Sequence, residues 1–114
     1  MTNYIQQAIQ QGLIAFDSPD RKTITYLHQN KTRNYQNPEE QIQAQTYCQL
    51  VIQYGYPPQH IKLYVPITDG SSTKEADIIV YHNPQCTKPY IVVECKKQDI
   101  SEAEFKQALK QALS

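Results

Sequence analysis

"ADIIVYHNPQCTKPYIVVECKK", residues 76–97, joins two apolar runs through a polar link, with Asp77 at the head of the first run and Glu94 and Lys96 inside the second. The β-branched content predicts strands over 75–82 and 89–97, and the turn formers Asn83 and Pro84 between them favour antiparallel neighbours. Both runs are apolar on two faces. Ile78 and Val80 oppose Ile79 and Tyr81, while Ile91, Val93 and Cys95 oppose Tyr90 and Val92. A sheet buried on both sides needs helices on both. Ionised groups in such a sheet are expensive, so they pair, bind metal or line a cleft.

Upstream, "HIKLYVPI" (60–67) reads as another strand and "TDGSST" (68–73) as the turn that follows it. Before these, "NPEEQIQAQTYCQLVIQYGYPP" (37–58) predicts a helix. Asn37 is its N-cap, Pro38 its first position, and Gly55 with Pro57 and Pro58 its stop. Tyr47, Leu50, Val51 and Tyr54 form its apolar stripe. Projected backwards, Glu40 falls near the centre of that stripe and Glu39 to one side. At the other end, "SEAEFKQALKQALS" (101–114) predicts a helix with a Ser101 to Glu104 capping box and a stripe of Phe105, Ala108, Leu109 and Ala112. At the start, residues 2–11 predict a short helix ending at Gly12, and "RKTITYLHQNKTRNY" (21–35) predicts a β-hairpin. The expected fold class is α/β, a central mixed β-sheet flanked by helices, in one domain over 1–114.

Composition agrees with a single modest core: 114 residues, 39% hydrophobic and 19% charged. Eleven Lys and Arg balance eleven Asp and Glu, so no overall basic field captures nucleic acid. Cys48, Cys86 and Cys95 are odd in number, lack zinc-site spacing and follow no apolar leader, which suggests reduced thiols and a cytoplasmic location. No apolar run approaches the roughly 20 residues that span a bilayer. His28, His60 and His82 lack ligand spacing and read as structural.

Side chains two apart on a strand share a face, so Glu94 and Lys96 point the same way, and Asp77 on the neighbouring strand can join them. Converging carboxylates repel unless a cation lies between them. A divalent ion such as Mg²⁺ takes hard oxygen ligands, polarises a phosphoryl oxygen and lowers the pKa of a bound water. Phosphodiester hydrolysis is the chemistry this trio suits. The plain alternative is a structural ion pair between Glu94 and Lys96.

These blocks carry a resemblance. "PEE" opening a helix, then "ADIIVY", "IVVECKK" and "EFKQALKQALS", in that order over about residues 24–114, resembles the PD-(D/E)XK nuclease superfamily, in particular the N-terminal endonuclease domain of type I restriction enzyme R subunits. The resemblance implies a restriction-endonuclease-like core, with Asp77 and Glu94 binding Mg²⁺, for which Mn²⁺ can substitute. It gives Lys96 the task of helping to activate water and assigns an acid of the first family helix to the metal site. Glu40 is the choice for that acid, although at N3 it also suits a capping box. A Gln-x-x-x-Tyr motif on the helix after the Glu-x-Lys strand is matched at its first position by Gln111, and its tyrosine would fall one residue beyond Ser114. The chain is therefore expected to be an N-terminal fragment of a larger polypeptide.

Implied partners are DNA and the modification and specificity subunits of a restriction complex, with ATP used only by other domains and no membrane. Lys22, Lys31, Arg33, Lys97, Lys106 and Lys110 can touch phosphates, or simply form a solvated face. Two other functions compete with DNA cleavage: a catalytically silent nuclease-like docking module, and a repair or RNA nuclease of the same superfamily.

Overall fold

Hydrogen-bonded hairpins dominate the chain because most successive strands are joined by short polar links. The computed structural model describes residues 3–70 and 72–94. In chain order these form α1 (Tyr4–Gln10), β1 (Ile14–Phe16), β2 (Thr23–Tyr26), β3 (Lys31–Asn34), α2 (Pro38–Ile52), a 3-10 turn at Pro58–His60, β4 (Ile61–Asp69), β5 (Ser72–Tyr81) and β6 (Pro89–Val93). The expected helix over 101–114 and the strand continuation over 95–97 lie outside the described residues. The chain divides into two compact units between Pro58 and Gln59.

In the first unit, Asn3 caps α1 by accepting from the Gln6 N–H, and Gly12 takes the left-handed conformation just past its end (φ +74°). The chain then enters an antiparallel sheet ordered β1-β2-β3, with Ile14 opposite Tyr26, Phe16 opposite Ile24, and Ile24 opposite Arg33. Asn37 caps α2 through its side chain, which accepts from the Glu39 N–H, and Pro38 opens the helix. The buried face of α2 carries Glu40, Gln43, Ala44, Tyr47, Cys48 and Leu50. Tyr26 and Tyr47 meet edge to face with ring centroids 5.5 Å apart, and both are fully buried.

The second unit is an antiparallel sheet ordered β4-β5-β6. β5 is its centre, with Ile78, Ile79, Val80 and Tyr81 all buried. The register runs Leu63 opposite Ile78 and Val65 opposite Ala76, which sets Tyr64 level with Asp77. Tyr64 has a left-handed backbone, φ +57°, inside the strand. For a bulky residue this is a strained conformation, disfavoured by about 1–3 kcal/mol. Regular alternation would put Ala76 on the face of Ile78 and Val80. Instead Ala76 gathers with Ile79, Tyr81 and Val92, and Val65, Ile67 and Cys86 pack against them. The β4-β5 ribbon therefore changes face at the level of Tyr64 and Asp77.

One central mixed sheet was the expectation, and the described strands correct it: they form two separate three-stranded sheets, each purely antiparallel. The reason lies in the connections. Within each sheet the links are too short for the crossover that a parallel pair needs. A further correction concerns Tyr54, which is 59% exposed, because α2 ends at Ile52 and leaves it beyond the helical stripe. Sequence patterning also missed β1, a three-residue strand too short to show a period. Among the described residues no helix is long and apolar enough to cross a membrane.

Burial pushes the Cys48 thiol up from 9.0 to about 12 and the Tyr47 phenol up from 10.0 to about 12. The Gln29 amide lies near the Tyr47 hydroxyl and opposes its rise, without the geometry of a formed hydrogen bond. Both groups stay protonated in the fold while the unfolded chain ionises. The stability they contribute is thus complete below the unfolded values near 9 and 10, and it drains away as pH rises towards about 12. Urea midpoints should be level from neutral pH to about 9 and then decline, with a limiting slope of about 1.4 kcal/mol per pH unit for each group. Below that decline, Cys48 should react with a thiol reagent only on unfolding, as read by peptide mass spectrometry.

Candidate functional site

Antiparallel pairing of β5 with β6 places Ile78 opposite Val93 and Ile79 opposite Val92. Extending that register by one residue sets Asp77 opposite Glu94, and both are half-buried. Residues directly opposite in such a pair have Cβ atoms about 5 Å apart. Hard oxygen donors in a pair suit Mg²⁺, which is commonly bound through one or two carboxylates, several waters and substrate oxygens rather than by a closed protein cage. Among the described residues no three His, Cys, Asp or Glu side chains gather into a fuller ligand set. The donor set thus fits an open Mg²⁺ site. Lys96 and Gln111 lie outside the described residues.

Glu40 belongs to the first unit, where the third position of α2 turns it inward, leaving it 7% exposed. Its Oε2 accepts a hydrogen bond from the Tyr26 hydroxyl at 2.5 Å. The Asn37 N–H, which a capping box would give to Glu40, is directed to the Asn34 carbonyl at 3.4 Å. Glu40 is therefore a sheet-facing carboxylate, and its neighbour Glu39 is exposed. One turn further on, Gln43 is also buried, with Nε2 lacking a hydrogen-bond partner among the described residues.

The histidines have structural settings. His60 Nδ1 lies 3.2 Å from the Tyr81 carbonyl, an acceptor, so that nitrogen carries the proton. His82 packs against the Tyr90 ring at 4.4 Å, and His28 is exposed in the hairpin turn. On the first sheet Lys31 stands opposite Tyr26 and Arg33 opposite Ile24, while Lys22 pairs with Asp20 at 3.5 Å on the surface. Sequence reasoning passed over Tyr26 and Tyr64. A tyrosine in an alternating strand reads as core, and nothing in "KLYVP" announces a left-handed residue.

A family model described as the N terminus of the type I restriction enzyme R protein matches residues 38–114. No curated protein and no solved structure gives a significant match.

Replacing Glu40 by Ala should lower stability by about 1–3 kcal/mol in urea denaturation, because Tyr26 loses a buried charged acceptor. A role confined to the helix dipole at N3 would cost only about 0.3–1 kcal/mol. Asn37→Ala should cost about 1 kcal/mol, as expected for loss of a helix cap.

Proposed function

The chain belongs to the family of type I restriction enzyme R protein N-terminal regions, matched over residues 38–114, and from that premise we propose that it is a Mg²⁺-dependent DNA endonuclease domain with a PD-(D/E)XK core. The observation that carries the proposal is the β5-β6 register, which, when extended by one residue past Ile78 and Val93, brings the half-buried Asp77 and Glu94 to one level of the sheet.

When bound, Mg²⁺ or Mn²⁺ supplies Lewis-acid polarisation of the scissile phosphate and acidifies a water. Asp77 and Glu94 hold and orient that ion. Lys96 helps to activate the attacking water and offsets negative charge as it builds on the phosphoryl oxygens. Glu40 is the accessory acid that the family resemblance implies, and within its own unit it is a sheet-facing carboxylate. Gln111 completes the proposed site set. DNA is the substrate, and the modification and specificity subunits of a cytoplasmic restriction complex supply sequence recognition. ATP is used by other domains.

The test is cleavage of supercoiled plasmid with Mg²⁺ or Mn²⁺ by the protein assembled with its proposed partner subunits. Asp77→Asn, Glu94→Gln and Lys96→Ala should each lower the rate by about 100-fold or more with folding intact. Metal-independent cleavage, or full activity in these variants, would remove the proposed site. A wild type that neither cleaves nor is stabilised by metal would favour a silent docking module.

A further inference from the structure

Among the described residues, four other than glycine have left-handed backbones: Arg21, Asn30, Tyr64 and Cys86. Three of them lie in the links between strands, where such a conformation closes a turn. Tyr64 is different, because it sits in the middle of β4, between Leu63 and Val65, both of which keep their partners on β5. It is also a large aromatic residue, 9% exposed, for which φ +57° is a true outlier. The conformation is not needed to turn the chain or to end the strand.

What the conformation does achieve is visible on β5. The ladder is intact at Leu63 with Ile78 and at Val65 with Ala76, and the level between them holds Tyr64 and Asp77. On one side of that level β4 pairs Ile61 and Leu63 with Val80 and Ile78. On the other side Val65, Ile67 and Ala76 join the cluster of Ile79, Tyr81 and Val92. The two strands exchange faces where Asp77 stands. In a regular ribbon the direction of Asp77 would be dictated by the alternation of its neighbours. Here that alternation is broken at this level, and Tyr64, across from Asp77, is the residue of β4 whose backbone leaves the extended form.

We infer that Tyr64 is a positioning residue whose left-handed backbone aims Asp77 towards Glu94 for metal binding. This rests on the metal-site reading above and adds to it the element that fixes one ligand's direction. Backbone strain held at the level of one carboxylate is a form of preorganisation: the fold bears the distortion so that the ligand need not move when the ion arrives. The operative property is the dihedral angle of Tyr64 and not its ring.

That distinction makes the inference testable by substitution in the whole protein. Tyr64→Gly and Tyr64→Asn both accept a left-handed backbone, whereas Tyr64→Ile and Tyr64→Val resist it and favour extended pairing. Binding of Mn²⁺ is read by calorimetry and by metal-induced thermal stabilisation, so no turnover is needed. Asp77→Asn serves as the control for the site.

Tyr64→Ile should weaken Mn²⁺ binding by about tenfold or more, while Tyr64→Gly and Tyr64→Asn stay within about threefold of wild type. Equal losses in the Gly and Ile variants would show that the ring matters, and would overturn the inference. So would wild-type binding in Tyr64→Ile when Asp77→Asn has lost it, and in that case the metal site itself would stand. If wild type and Asp77→Asn bind Mn²⁺ equally, the metal-site reading fails and takes the inference with it. Should the β-branched variants not fold, the comparison of Tyr64→Gly with wild type still decides, because loss of binding in a folded Gly variant overturns the inference.

Discussion

β5 is hydrogen-bonded along both edges and, from Ile78 to Tyr81, buried on both faces, and the second unit is organised around that constraint. A strand so enclosed must present apolar side chains in both directions, which is why Ile78, Ile79, Val80 and Tyr81 follow one another without a polar break. The same enclosure makes Asp77 conspicuous. Its carboxylate sits one residue before the doubly buried run, at the level where the β4-β5 ribbon changes face. Slipping the β5-β6 register by one residue would exchange the faces of Ile78, Ile79 and Val80, so their packing holds that register in place.

Local chemistry made much of the fold legible. The Asn37 cap with Pro38 fixed the start of α2, Gly12 marked the end of α1, and Asn83 with Pro84 marked the link between the last two strands. Those signals act over a few residues, where sequence and structure are in direct correspondence. Strand grouping is a different kind of fact. Nothing in the residues of the hairpin at 21–35 says whether it joins the later strands or forms its own sheet with Ile14–Phe16, because the apolar faces are compatible with either. Pairing across distance is decided by competition among partners, and the earlier strands found a partner in β1.

The candidate site was legible to the extent that chemistry forces residue types into unusual places. Asp77 and Glu94 stood out as charges in apolar runs, and the antiparallel pairing expected of their strands is present at Ile78 with Val93 and Ile79 with Val92. Glu40 was singled out by the helical period, and it does face inward. Its partner could not be read: Tyr26 is one of nine tyrosines, and only the packing of β2 against α2 selects it. Tyr64 carried no signal at all, since backbone strain is imposed by the surroundings rather than encoded in the residue.

Charge adds a further step. The first unit carries four basic residues, Arg21, Lys22, Lys31 and Arg33, against four acids, Asp17, Asp20, Glu39 and Glu40. Since the whole chain has eleven of each sign, the second unit balances as well, at seven and seven. Neither unit projects a long-range field that would draw in a polyanion. At close range the proposed site brings the carboxylates of Asp77 and Glu94 to the place where a phosphodiester would have to approach. On the proposed reading, a divalent cation therefore does more than activate water. Asp77 and Glu94 would hold an ion whose charge offsets theirs where the substrate must come closest, so that substrate approach and water activation would depend on the same pair of carboxylates. On the same proposed reading, long-range delivery to DNA would fall to partner subunits, because neither unit's own charge supplies it.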